Sequence, residues 1–166
     1  MPKSNLYIGV LSGTSADSID ALLVDFSKSI KVIDRFSEKI PKKVKDNIFE
    51  LVLNKKLPNY TEKQKELDCK LGKLIGKCVN QLIKKSQVDK QTVKGIGSHG
   101  QTIIHSSSRK KPFSLQIGNP ELIKKLTGIK VVHGFRQSDI ANGGMGAPLT
   151  PAFHKEYMSK ANVNRA

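Results

Sequence analysis

An α/β fold built on a mixed sheet is the architecture this sequence predicts, and three observations predict it. Residues 6–11, 19–26 and 30–36 are short runs rich in Ile, Val, Leu and Phe, separated by turn residues. That pattern reads as successive antiparallel strands and opens the chain with a hairpin. Two segments with helical period follow at 42–54 and 61–86. Beyond residue 93 strand-like and helix-like segments alternate, the layer pattern of a sheet flanked by helices. At 166 residues the chain has material for one ordinary domain with a usable core.

Each element has its own warrant. In the second helix Leu67, Leu71, Leu74, Ile75, Cys78, Leu82 and Ile83 recur at helical spacing, which marks core packing, and Thr61 stands where an N-cap would. Cys69 and Cys78 are nine residues apart in that helix, so at about 100° per residue they point to opposite faces and cannot pair. From residue 93 come short strands at VKGIGSHG, SLQIG and IKVVH, with a helix around 119–127 between the last two. Gly143, Gly144 and Gly146 break the chain before a last helix near 148–158.

Composition narrows the class. The 29 basic against 14 acidic residues give a formal charge of +15, which by itself suggests nucleic acid or an acidic membrane face. Only Arg35, Arg109, Arg136 and Arg165 are arginines, so 25 of the 29 are Lys, and there is no Trp. Nucleic-acid surfaces favour the arginine fork and aromatic stacking. A solvated lysine-rich surface is therefore the expectation, with nucleic acid disfavoured as partner. No apolar run approaches the length of a membrane span, so no anchor is expected. With no CxxC, no HExxH and no signal peptide, the cysteines read as reduced thiols in a cytoplasmic protein.

Three stretches carry candidate chemistry. SGTSADSID, residues 12–20, joins two strand-like runs. Gly13 allows close backbone approach, Thr14 and Ser15 offer donors to phosphate oxygens, and Asp17 or Asp20 can hold a hydrated Mg²⁺. It lacks the endings of a Walker A loop and of a dinucleotide fingerprint, and a plain turn rich in Ser, Thr, Asp and Gly is the competing reading. IGSHGQTIIH, residues 96–105, is expected to end a strand and expose Ser98, His99, Gln101 and Thr102 around Gly100 toward a ligand crevice. A structural histidine is an equal reading for His99. In GFRQSDIANGGMGAPLTPAFH, residues 134–154, Asp139 precedes a glycine-dense loop. An ionised carboxylate there can take a proton from water or a hydroxyl, and Arg136 can orient it or meet an anionic substrate. A helix cap or surface ion pair is the alternative.

Taken in order, SGTSADSID, IGSHGQT, PFSLQIGNPELI and GFRQSDIANGGMGAPLTPAFH resemble the anhydro-N-acetylmuramic acid kinase family over nearly the whole chain. The resemblance implies the first lobe of an actin-like sugar kinase ATPase fold, residues 1–166, with the second ATP-binding lobe absent. It implies use of ATP, Mg²⁺ and water to open 1,6-anhydro-N-acetylmuramic acid and phosphorylate it during peptidoglycan recycling, and a homodimer for the complete enzyme. It assigns the ATP phosphate loop to Gly13, Thr14, Ser15, Ala16, Asp17, Ser18, Ile19 and Asp20, a stretch in which Asp17 and Asp20 are the metal candidates read from the residues themselves. Asp139 becomes the base that activates water, while His99, Gln101, Thr102 and Arg136 become sugar contacts. Ser18 departs from the usual Gly, which would strain the turn if a positive φ were needed there. Gly134 departs from the usual Asp and is expected to remove a partner of Arg136. As one lobe, the chain is expected to have little kinase activity alone.

Overall fold

A computed structural model describes residues 5–106, 108 and 110–157. They divide into two compact units, one running from residue 5 to 104 with 115–134, the other comprising the described residues of 105–114 and of 135–157. The N-terminal strands lie where the apolar runs predict: β1 (Leu6–Ser12), β2 (Ser18–Asp25) and β3 (Lys31–Lys39). β1 pairs antiparallel with β2, and β2 with β3. Helices α1 (Lys42–Leu53) and α2 (Tyr60–Ser86) follow. Asn59, not Thr61, occupies the N-cap of α2, and it makes no side-chain cap bond; Thr61 lies one residue inside the helix.

The short strand expected at VKGIGSHG is in fact the start of one long strand, β4 (Val93–Ser106), which pairs parallel with β1 and makes the sheet mixed. β5 (Phe113–Ile117), α3 (Pro120–Thr127) and the two-residue β6 (Val131–Val132) complete the layer, in sheet order β3-β2-β1-β4-β5 with β6 on β4. A seven-residue helix, α4 (Phe135–Ala141), was not legible in the sequence. The last helix, α5 (Pro151–Tyr157), starts later than residue 148, and its expected end at 158 lies outside the described residues.

Strand alternation sorts the sheet into two faces. Ile8 and Val10 of β1, with Ile19, Ala21 and Leu23 of β2, are buried on the face that α2 covers. Tyr7, Leu11 and Leu22 stay exposed on the other. α2 supplies its predicted stripe, Leu67, Leu71, Ile75, Cys78, Leu82 and Ile83, to the same core, with Leu74 at its margin. Cys69 is exposed and Cys78 buried, as their half-turn separation requires. No described helix is long and apolar enough to cross a membrane.

α2 also has to approach the β5–α3 junction closely. A side chain at Gly72 would put its Cβ 2.8 Å from the Asn119 carbonyl oxygen, and one at Gly76 would meet Leu126 Cδ1 at 2.9 Å. Asp68, one turn before Gly72, fastens the contact: its carboxylate accepts from the Gly118 amide at 2.8 Å and from Asn119 Nδ2 at 2.9 Å. Its carbonyl accepts from the Asn119 amide at 3.1 Å. Asn119 in turn caps α3, accepting from the Leu122 amide at 3.0 Å, with Pro120 in the first turn.

Two outcomes follow. Gly72→Ala drives a methyl into backbone and is expected to destabilise the chain by about 1–3 kcal/mol. At Gly76 the obstacle is a half-exposed Leu126 side chain, and the gain of about 1 kcal/mol in helix propensity offsets it, so Gly76→Ala should be close to neutral. Urea unfolding midpoints of the two variants check this order. Burial pushes the Cys78 thiol up to about 11, so it stays protonated at neutral pH. Iodoacetamide at pH 8 is expected to label Cys69 alone in the folded chain and both thiols in denaturant, read by mass spectrometry.

Candidate active site

The first stretch, SGTSADSID, folds as the β1–β2 connection. Ser12 and Ile19 are the last paired residues, and the Ala16 amide donates to the Gly13 carbonyl at 3.0 Å to close the turn. Gly13, Thr14 and Ser15 are exposed, and a Cβ at Gly13 would meet nothing within 4 Å, so the turn is open to solvent at Gly13. The positive φ of the turn falls on Ala16, at 48°, and not on Ser18, which begins β2. The strain expected at Ser18 is therefore absent. Ala16 and Ile19 bury their side chains completely, which leaves only their backbone for any ligand.

The two carboxylates of this stretch have different partners. Asp17 is ion-paired with Lys45 of α1, and its carbonyl accepts from the Ile40 amide at 2.9 Å. Hydrogen bonds from Lys45 and Ser15, with the Lys45 charge adding, hold its carboxyl below the usual carboxylate value. Lys45 also lies 5.7 Å from the Phe49 ring centroid. Asp20, on the exposed face of β2, accepts from Ser18 Oγ at 3.1 Å and from Ser37 Oγ. Among the described residues no cluster of three or more His, Cys, Asp or Glu is gathered that would hold a metal outright.

The second stretch departs from expectation. A register shift lies between Val10 and Leu11 of β1, opposite the step from Ser98 to Gly100 of β4, so His99 is the extra residue of a bulge. Because side chains alternate, one extra residue turns everything after it over. Ser98 and Gln101 consequently lie on the same buried face, 3% and 1% exposed, and do not line an open crevice. Gln101 Oε1 accepts from Ser12 Oγ at 2.7 Å, and Gln101 Nε2 donates to the Thr102 carbonyl at 3.3 Å. His99 and Thr102 are half-buried; His99 Nδ1 lies 3.1 Å from the Gly100 carbonyl, and Thr102 Oγ1 accepts from Gln116 Nε2 at 3.2 Å.

In the second unit Asp139 lies on α4, where polar residues and the absence of any buried side chain hide the helical period. Its carbonyl accepts from the amides of Asn142 at 3.1 Å and Gly144 at 2.8 Å, which bends the chain back. Its carboxylate then accepts from the buried Gly146 amide at 2.7 Å, a charge-assisted bond. Arg136 Nη1 donates to the Gly146 carbonyl at 2.7 Å, so both charged groups grip one residue. A side chain at Gly144 would run into the Asp139 carboxylate, which makes glycine obligatory for this geometry. A backbone carbonyl is thus a partner of Arg136, and the glycine at position 134 does not leave it without one. Gln137 Nε2 donates to the Ser114 carbonyl at 3.1 Å, and Ser114 Oγ lies 3.3 Å from His105 Nδ1.

Comparison with known proteins agrees with the ordered motifs. The sequence profile described as Anhydro-N-acetylmuramic acid kinase matches residues 5–166. A protein of that name from Coxiella burnetii is 44% identical over 165 residues, covering 99% of this chain and 43% of its own length. One from Shewanella sediminis is 44% identical over 166 residues, covering 98% of this chain and 44% of its own. A third, from Shewanella amazonensis, is 43% identical over 166 residues with 98% and 44% coverage. The chain spans less than half the length of these relatives. The four ordered motifs, the mixed sheet with its N-terminal hairpin, and a profile match from residue 5 onward make this chain a member of the anhydro-N-acetylmuramic acid kinase family.

Proposed function

We propose that residues 1–166 are the first lobe of an actin-like sugar kinase that uses ATP and water to convert 1,6-anhydro-N-acetylmuramic acid into N-acetylmuramic acid 6-phosphate, a cytoplasmic step of peptidoglycan recycling carried out by a homodimer. The observation that carries the reading is the held carboxylate of Asp139, supported by family membership. A base must be aimed before it can act, and a carboxylate fixed by a buried amide is already aimed. Asp139 takes a proton from water as the water oxygen bonds to the anomeric carbon. The bridge bond to O6 breaks, its electron pair stays on O6, and O6 bonds to the γ-phosphorus of ATP as the bond from that phosphorus to the β–γ bridging oxygen breaks and ADP leaves. Delivery of water by a carboxylate opposite the departing oxygen is the geometry of inverting glycoside hydrolysis.

The exposed Gly13, Thr14 and Ser15, with the backbone of Ala16 to Asp20, are the proposed holders of the ATP phosphates. When bound, ATP with Mg²⁺ supplies the phosphoryl group and neutralises the charge that develops on transfer. Hydrated Mg²⁺ keeps several waters and needs only one or two carboxylates, which fits Asp17 and Asp20 without a dedicated cage. Asp20, bonded to hydroxyls, has more negative charge to offer than Asp17, which Lys45 already neutralises. His99 and Thr102 are the proposed sugar contacts. Arg136, whose guanidinium has five donors, is proposed to meet an anionic group of the substrate while holding Gly146. Gln101 is too deeply buried for the sugar contact that the resemblance implies.

Joined to the remainder of the Coxiella burnetii relative, the chain is expected to release ADP in the presence of the anhydro-sugar in a coupled assay. Asp139→Asn should lower kcat by about 10²- to 10⁴-fold, the range for loss of a general base, with nucleotide affinity retained. Gly144→Ala, which displaces the same carboxylate without removing it, should lower kcat in the same direction. Unchanged turnover in Asp139→Asn removes this residue from the mechanism.

A further inference from the structure

We propose that Gln101 is a positioning residue: through Ser12 it fixes the turn of residues 13–17, and that function rests on reading the turn as the phosphate holder. Ser12 is the last residue of β1, directly before Gly13. It is 3% exposed, and its hydroxyl donates at 2.7 Å to Gln101 Oε1, itself on a side chain 1% exposed. The two residues lie 89 positions apart in sequence, so the bond joins the root of the turn to the middle of β4. A second tie, Gln101 Nε2 to the Thr102 carbonyl at 3.3 Å, keeps the amide from rotating.

The β4 bulge makes this possible. Without the extra residue at His99, alternation would carry Gln101 to the opposite face, away from Ser12. A buried amide paired with a buried hydroxyl is costly to separate, because neither group regains water when the other leaves. Apart from the Lys45 and Ser15 bonds to the Asp17 carboxylate, the turn backbone is held by the Ala16 amide to the Gly13 carbonyl at 3.0 Å and the Ile40 amide to the Asp17 carbonyl at 2.9 Å. Ala16 is held at a φ of 48°, a conformation that persists only when its surroundings enforce it. Fixing the Ser12 end supplies that enforcement. Ser98 provides the contrast: it is buried on the same face of β4, and its hydroxyl has no hydrogen-bond partner.

Amide hydrogen exchange on the chain tests the proposal without any ligand. Ser12→Ala removes one oxygen and Gln101→Leu removes the amide while keeping most of the volume. Both are expected to speed exchange of the Ala16 and Ile40 amides about five- to tenfold, the effect of one net hydrogen bond, with α2 and α3 unchanged. Ser98→Ala, which removes an unpaired hydroxyl from the same face, should leave those amides unchanged. The double variant should exchange no faster than the singles. Turn exchange unaltered in Ser12→Ala, or quickened equally by Ser98→Ala, overturns the proposal. Protection of the Ala16 amide by Mg-ATP in the chain joined to the remainder of the Coxiella burnetii relative is a separate arm. Its absence, with the variant effects intact, would sink the phosphate reading of the turn and leave Gln101 as its anchor.

Discussion

The contact of α2 with the β5–α3 junction is the constraint on which the first unit depends. A helix of 27 residues lies along one face of the sheet, and its apolar stripe accounts for much of the core. That stripe alone would let the helix slide or roll. Glycine at 72 brings its backbone against Asn119, and Asp68 then binds two donors of the junction with one carboxylate. With that point fixed, Asn119 can cap α3 and β5 can enter beside β4. The energetic reason is that directional bonds to a charged acceptor select one arrangement among many that bury similar apolar area.

Among the described residues, six ion pairs use lysines, and two of them join α2 to β3, Lys77 with Glu38 and Lys85 with Asp34. Such surface pairs each contribute at most about 1 kcal/mol and weaken with salt. They therefore contribute modestly to stability, and the fold rests on its core. The exception in kind is Lys45 with Asp17, because it joins α1 to the turn between β1 and β2. It sets the charge balance of that turn and thereby separates the roles of its two aspartates.

Much of the fold was legible because its signals are local. Three apolar runs gave three strands, and the stripe from Leu67 to Ile83 gave α2 and its buried face. The sequence reading failed where an effect is non-local or lacks a period. Nothing in SHGQT announces a bulge, since its existence depends on how β4 registers with β1; one inserted residue inverted the expected exposure of Gln101. α4 escaped notice because it buries nothing, so no apolar spacing marks it. Thr61 looked like a cap, yet the helix begins one residue earlier, at Tyr60. Of the candidate site, Asp139 and the exposed turn were readable by residue type, whereas their hydrogen-bond partners were not. The clash between Gly144 and the Asp139 carboxylate exists only once the chain has folded back.

Gly146 is gripped from both sides, its N–H by an anion and its C=O by a cation. The two charges thus communicate through a single residue of backbone although they do not touch. Moving either side chain therefore pulls on the same glycine, so the placement of the carboxylate and the path of the loop cannot be altered independently.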